Sequence, residues 1–494
     1  MTTSLNRPPV TGLGELSNES RVLATPWSRM VRGIGLGQYP VAYDPEVAAA
    51  IRATFGRLAG RVPAGNSYTL FSRLLAELVL KVTDPEREYG RASVARDLGP
   101  VVDAFRAEPN PYHRLSLGCI LLDAFAKLEL DRGLLVNGEL DVPAEVLATV
   151  DAIRPDQIKD ENAGGHGDYE RLSGYSAVFL AFGQLGLGER LVTAERDHIG
   201  EALGLLERIP SPFFRGRGGS VLLSAISLLG HGDRIFDGER DFMKEVLDHL
   251  DRGEELGPAS FPQPMTPAFS QVYPLVTMLN AIAVAGRPEY LTYRRDRLAE
   301  MRGLWERIAP AERTHMGLYY LVALLNLGRL EDQLPDLEGF VTELVGQWEG
   351  IDPGANFFLN GIAYAYLIET AMVTGRTELV TDGLLERVVD SYPDLDVTDL
   401  DRVNRPYPFS YVLNMLGEIG EWRRLFAPRA RYGGLSATEW VVDHLSPDGV
   451  EEGARLYLLD HALVSWALRM RGTGRGETEY FSRLHPIAAP APVR

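Results

Sequence analysis

MGLYYLVALLNLGR, residues 316–329, is the stretch that decides the fold. From Met316 to Leu327 nearly every position is apolar or aromatic, with neither the wet face of a surface helix nor the alternation of a strand. It therefore reads as a helix covered on all sides. Gly328 ends it, because glycine enters the left-handed backbone region that closes a helix without a Cβ clash. The same join, an apolar run, a glycine and then a polar or charged residue, recurs at Gly188-Glu189-Arg190, Gly232-Asp233-Arg234, Gly286-Arg287, Gly375-Arg376, Gly420-Glu421 and Gly472-Thr473. The spacing, roughly 40–55 residues, is that of helical repeats. Two less regular hairpins turn near Asp84 and Gly133.

After each join the character of the chain changes. Tyr290 to Ile308 places Leu291, Leu298, Met301, Leu304 and Ile308 beside Arg294, Arg295, Arg297, Glu300 and Arg302, and reads as one amphipathic helix with a wet face. The chain is thus expected to be all-α. Buried inner helices and amphipathic outer ones would form an α/α toroid, with an open tetratricopeptide-like α-solenoid as the alternative. The turns Gly328-Arg329-Leu330-Glu331 and Gly375-Arg376-Thr377-Glu378 carry that alternative. The expected divisions are an irregular arm over 1–40 packed on the main domain, the repeat domain over 41–475, and a tail over 476–494. Inner-to-outer turns read as short. The outer-to-inner connections read as long, as in Pro210 to Ser220, Gly257 to Gln271, Gly350 to Phe358 and Tyr392 to Tyr411. That would gather structured loops at the N-terminal ends of the inner helices, where function is usually carried.

Composition narrows the function classes. The 494 residues carry 68 acidic against 50 basic side chains, a formal charge of −18. Duplex nucleic acid is excluded as a partner, since phosphate neutralisation needs clustered cations. The single cysteine, Cys119, forms no internal disulfide and fits a reducing, cytoplasmic setting. The first twenty residues lack the pattern of a signal peptide. No uninterrupted apolar run reaches the ~18 residues of a membrane span.

Three constellations carry candidate chemistry. Tyr273, Tyr319, Tyr320, Phe357, Phe358, Tyr364, Tyr407, Phe409, Tyr411 and Tyr457 belong to inner segments or their starts. They are expected to line a cavity for a hydrophobic small molecule, a developing carbocation or a sugar ring. In FFRGRGGS, residues 213–220, Gly218, Gly219 and Ser220 would offer backbone N–H groups at a helix start beside Arg215 and Arg217, an anion cradle. Candidate acids and bases are Asp394 and Asp396 in DLDVTDLD, His166 and Asp168 in a loop, and Glu369 and Asp460 within apolar segments. Crowded carboxylates raise one another's pKa and keep one protonated as a general acid. The same acidic loop admits Mg²⁺ as a possible cofactor. It is not an EF-hand, since Asp399 and Arg405 stand where glycine and glutamate are required. No HExxH, CxxC or GxSxG motif marks a metal or nucleophile site.

On these features the chain resembles the α/α-toroid enzymes, among them terpenoid cyclases and linalool-dehydratase-like proteins, over roughly residues 41–475. Asp394 and Asp396 match the first and third positions of the DxDD motif of class II terpenoid cyclases, with Val397 at the fourth. The resemblance implies a lyase or isomerase of specialised metabolism, with Asp396 as the acid that starts a cyclisation, elimination or isomerisation of an isoprenoid-like substrate. Two other functions fit the same sequence. One is a carbohydrate-active enzyme with a carboxylate pair drawn from Asp168, Glu369, Asp394, Asp396 and Asp460. The other is a non-catalytic repeat scaffold for a protein partner.

Overall fold

The computed structural model describes residues 42–62, 65–138, 140–153, 167–252, 266–350, 367, 370, 381–390, 416–417, 421–443 and 458–471. The arm over 1–40 and the tail over 476–494 lie outside them. So do His166, Phe357, Phe358, Tyr364, Glu369, Asp394, Asp396, Tyr407, Phe409, Tyr411 and Tyr457. Among the described residues the chain is helical, apart from four two-residue strands. They fall into two compact units, the first made by 42–146 with 367–471 and the second by 147–350.

The first unit contains α1 (Pro45–Ala59), α2 (Ser67–Thr83), α3 (Arg91–Ala107), α4 (Pro111–Lys127) and the start of α5 (Val142–Ala152). Helices from far along the chain join them. These are α15 (Asp382–Asp390), α16 (Trp422–Phe426), α17 (Ala437–Asp443) and α18 (Leu458–Arg469). Within this unit α18 packs on α1 and α2, and α17 packs on α1, so the last hairpin lies against the first. Cys119 is buried in α4.

The second unit runs α6 (Gly167–Leu185), α7 (His198–Arg208), α8 (Pro212–Leu228), α9 (Phe242–Asp251), α10 (Pro267–Val284), α11 (Arg297–Trp305), α12 (Pro310–Leu327), α13 (Leu330–Gln333) and α14 (Leu337–Glu349). Helices α6, α8, α10 and α12 pack side by side as a buried row, and α7, α9, α11 and α14 lie against it. Helix α10 is long and apolar enough to cross a membrane by composition, but most of it is buried between α8 and α12, the environment of a core helix.

The glycine joins are present, with a shift. The left-handed residues are Gly186, Gly230, Gly286 and Gly328, so Gly188 and Gly232 stand two places late. In each join the next N–H reaches back five residues, Leu187 to Phe182, His231 to Ile226, Arg287 to Ile282 and Arg329 to Leu324, which satisfies a terminal carbonyl. The joins at Gly375, Gly420 and Gly472 lie outside the described residues.

The expected lengths of the connections hold only in part: α9 and α10 are joined by a long link over 252–266, Pro210 to Ser220 is mostly helix, and 351–358 and 392–411 lie outside the described residues. Inner-to-outer links are elaborate: short 3₁₀ turns at Arg132–Leu134, Gly188–Leu191, Gly232–Ile235 and Pro288–Thr292 precede the outer helices. Two of these links add antiparallel arms, β1 (Val136–Asn137) with β2 (Leu140–Asp141) and β3 (Phe236–Asp237) with β4 (Arg240–Asp241). The helix expected over Tyr290 to Ile308 therefore begins only at Arg297, where Asp296 caps it by accepting from the N–H groups of Leu298 and Ala299. Several outer-to-inner links are instead minimal, as in Glu108-Pro109-Asn110 and Ile209-Pro210-Ser211. A cap of Asn110 or Ser211 followed by Pro111 or Pro212 starts the helix at once.

Successive outer helices are tied by a recurring ion clamp. RDHIGE (196–201), RDFMKE (240–245) and RDRLAE (295–300) repeat one pattern. In each, the Asp caps the helix while the Arg holds the Glu of its own helix and a carboxylate of the preceding outer helix. Arg196 bridges Glu201 and Asp151, Arg240 bridges Glu245 and Glu207, and Arg295 bridges Glu300 and Asp251. In the first unit Arg106 of α3 holds Glu145 of α5, and Arg57 of α1 holds Glu439 and Asp443 of α17.

Candidate functional site

In the first unit the N-terminal ends of α2, α4 and α18 meet in a buried polar cluster. Its hub is the triplet Ser67-Tyr68-Thr69 in the first turn of α2, where Asn66 caps the helix by accepting from Thr69 N at 2.9 Å. The three side chains then go separate ways. Ser67 Oγ donates to Glu108 Oε2 at 2.6 Å, Thr69 Oγ1 donates to Asp460 Oδ2 at 3.0 Å, and the Tyr68 hydroxyl hydrogen-bonds His461 Nε2. The Tyr68 hydroxyl also lies 3.5 Å from Ser116 Oγ. The Tyr68 ring stands between two imidazoles, stacked on His461 at 5.6 Å and edge-on to His113 at 5.7 Å. Glu108, in the short link before α4, also accepts from Asn110 N at 3.1 Å, and its Oε1 lies 3.7 Å from His113 Nδ1.

The two carboxyl groups are driven apart electrostatically. Asp460 is 2% exposed, and no cation neutralises it among the described residues. Burial pushes its pKa up to about 7, against the opposing hydrogen bond from Thr69. Burial works on Glu108 in the same direction, but its contacts with His113 and Ser67 outweigh it and hold the group below its ordinary value. One carboxyl is thus protonated near neutrality while the other is charged, the arrangement by which environment divides acid from base. His461 is driven down to about 3 by burial and then by His113, so it is neutral. Asp460 Oδ1 and His461 Nδ1 have no hydrogen-bond partner among the described residues. Buried polar atoms rarely stay unsatisfied without a role.

At the corresponding ends of α8, α10 and α12 in the second unit the character is aromatic. Tyr273 stacks on Phe213 at 6.2 Å and meets Tyr319 at 5.5 Å, and the Arg217 guanidinium lies 4.7 Å from the Tyr273 ring centre. His315 stacks on Tyr319 at 6.1 Å and faces Phe269 at 5.8 Å. Burial, with the charge of Arg217, pushes His315 down to about 3.

The expected site residues fare unevenly. Asp460 faces the interior, as its apolar surroundings in the sequence require. Tyr273 and Tyr319 come together, but Tyr320 turns away to pack, tilted, against Trp305 of α11 at 5.2 Å. Asp168 is not in a loop: it lies in the first turn of α6 and pairs with Arg208 at 3.0 Å. The anion cradle is overturned, because Gly218, Gly219 and Ser220 lie well inside α8, where their backbone N–H groups belong to the helix ladder. The glycines are there for packing. A Cβ on Gly218 would come within 2.9 Å of Leu172 and Tyr169, and one on Gly219 within 2.8 Å of Val246. Ser220 Oγ donates to Gly216 O at 2.6 Å, and Arg215 caps the end of α7 through the carbonyls of Glu207 and Ile209.

Sequence reasoning missed Tyr68, Glu108, His113 and the pairing of His461. A signal was present in the capped starts NSYT at 66–69 and EPNPYH at 108–113, which place polar side chains where buried helices begin. Among the described residues no group of three or more His, Cys, Asp or Glu is placed to hold a metal ion. Comparison with protein-family models, curated proteins and solved structures returns no match, so the chain's own residues alone bear on its function.

Proposed function

We propose that the protein is an enzyme that performs an acid-initiated isomerisation, elimination or cyclisation on a hydrophobic, isoprenoid-like small molecule, with Asp460 as the acid. The observation that carries this is Asp460 itself: a buried carboxyl held at one oxygen by Thr69, with no partner on its other oxygen among the described residues and its pKa near neutrality. Such a group keeps a proton to give at pH 7 and sits in a medium that penalises its charge, as a general acid for a weakly basic alkene or hydroxyl requires. The Tyr68 ring beside it can stabilise developing positive charge. The role expected of Asp396 passes to Asp460 in this reading. We further propose that the hairpins close into an α/α toroid, a reading supported by the packing of α17 and α18 on α1 and α2.

The test is turnover of a probe panel of linear isoprenoid alcohols, isoprenoid diphosphates and oligosaccharides by wild type, Asp460→Asn and Asp168→Asn. Wild type should convert an isoprenoid probe. Asp460→Asn should lose about 10²–10⁴ in rate, the usual contribution of general acid catalysis, and Asp168→Asn should keep most of it. Undiminished turnover by Asp460→Asn would remove Asp460 from the chemistry, and turnover of oligosaccharides alone would replace the substrate class.

A further inference from the structure

We propose that Thr69 is a positioning residue that fixes the acidic proton of Asp460 on Oδ1, the oxygen with no partner among the described residues. This rests on the reading of Asp460 as the acid. A neutral carboxyl has one oxygen that only accepts and one that carries the proton, while a hydroxyl has a single proton to give. The 3.0 Å contact between Thr69 Oγ1 and Asp460 Oδ2 therefore admits two arrangements. Either Thr69 donates to Oδ2, which is then the carbonyl oxygen, and the acidic proton sits on Oδ1. Or Oδ2 carries the proton and gives it to Thr69, whose own proton then needs another acceptor. Thr69 is 3% exposed, so leaving that proton without one would be costly.

Elsewhere in the protein that acceptor is the carbonyl four residues back. Thr54, Thr83, Ser176, Ser220, Ser224 and Ser227 all donate to it, at 2.6–3.0 Å. Thr69 does not. It is the third residue of α2, so the carbonyl four back belongs to Gly65, which lies outside the helix ahead of the Asn66 cap. Among the described residues Asp460 is the one partner of the Thr69 hydroxyl, which selects the first arrangement. The backbone of Thr69 is held as well, because its N–H donates to Asn66 Oδ1 at 2.9 Å. The same hydrogen bond serves both states of the acid. When the Oδ1–H bond breaks, the electron pair stays on the carboxylate, and Thr69 already donates to it with no rearrangement. It also works against the burial that raises Asp460, so that the acid is stronger with Thr69 than without it.

The test needs no substrate. In the full-length protein the protonated-carboxyl infrared band that Asp460→Asn removes is followed through a pH titration of wild type, Thr69→Val, Thr69→Ser and Ser67→Ala. Thr69→Val keeps the shape of the side chain but not the donor. It should raise the midpoint at which the band fades by about one to two pH units, the worth of a hydrogen bond to a charged group. Thr69→Ser should restore the wild-type midpoint. Ser67→Ala, which removes the hydrogen bond to Glu108 from the same turn, should leave the midpoint where it is. Thr69→Ala stands in, with the same rise expected, if Thr69→Val does not fold. The sign separates the two arrangements: were Asp460 the donor, Thr69→Val would strip a partner from the neutral form and lower the midpoint. A midpoint that falls or stays in Thr69→Val, a rise that Thr69→Ser does not reverse, or an equal rise in Ser67→Ala overturns the proposal and leaves Asp460 as the acid. A wild type with no such band at pH 6 overturns the acid and the proposal together.

Discussion

The two units place the same element, the N-terminal end of a buried helix, in two chemical states. In the first unit these ends bring together Glu108, His113, Asp460 and His461 around Tyr68. In the second they bring together Phe213, Phe269, Tyr273 and Tyr319, with Arg217 over one ring and His315 against another. The local rules are shared: a side-chain cap, then often a proline, then an all-round apolar helix. What differs is how a buried carboxyl is held: Glu312, in the first turn of α12, accepts from Thr266 N, Thr266 Oγ1 and Ala309 N, whereas the one hydrogen bond to Asp460 among the described residues comes from Thr69. Aromatic rings can be enclosed with a gain in free energy, whereas an enclosed carboxyl has to be paired, hydrogen-bonded or protonated. The second unit is explained by packing; the first is not, since Asp460 is enclosed without a neutralising partner among the described residues.

The largest expected effect that can break this contrast is the dependence of stability on pH. Asp460 has a folded pKa of about 7 against an ordinary 3.8, so its contribution is complete below pH 4 and is lost as pH rises through 7. A tenfold change in proton affinity is worth about 1.4 kcal/mol, so urea unfolding should show wild type losing roughly 4 kcal/mol relative to Asp460→Asn across that window. The histidines act in the opposite sense. His315 and His461 fall to about 3 from an ordinary 6.5, so their contribution is complete above 6.5 and is lost as pH falls toward 3. His315→Gln should remove a rise in stability between about pH 3 and 6.5, and Asp460→Asn a fall between about pH 4 and 7, so the two substitutions change the slope in opposite directions over the shared range. Equal pH profiles for wild type and Asp460→Asn would mean that the two units do not differ in this way.

The outer clamps give a smaller effect that sharpens the comparison. Arg297 is fully buried and bidentate to Asp251 at 2.6 and 2.9 Å. Asp251→Ala should therefore cost about 3 kcal/mol, because it leaves the buried Arg297 with Glu300, at 3.0 Å, as its remaining carboxylate among the described residues. In the first unit the Arg106–Glu145 pair is 44% and 34% exposed, and Glu145→Gln should cost less than ~1 kcal/mol. Both values follow from denaturant midpoints. A loss at Glu145 as large as that at Asp251 would show that exposure does not set the strength of these clamps.

Much of the fold was legible because it rests on local chemistry. The run of residues 316–329 announces a buried helix and its left-handed stop, and both are found. Less legible was how an outer helix begins. Tyr290 to Ile308 has a helical apolar stripe, but the cap at Asp296 and the left-handed Arg294 interrupt it, and periodicity alone does not weigh a cap. The three R-D-x-x-x-E copies were on view in the sequence, yet their partners, Asp151, Glu207 and Asp251, are one repeat away. Of the candidate site, only Asp460 could be read as a carboxyl inside an apolar segment. Its neighbours come from the start of α2, nearly 400 residues earlier in the chain, and a contact of that range leaves no local pattern.

The protonation state of Asp460 carries the whole account, and difference infrared spectroscopy reads it directly. In the intact protein at pH 6 a protonated-carboxyl carbonyl band should be present, should be absent from Asp460→Asn, and should fade as pH rises through about 7. Spectra of wild type and Asp460→Asn that match in this region at pH 6 would mean that Asp460 is already ionised, and would contradict its assignment as the acid.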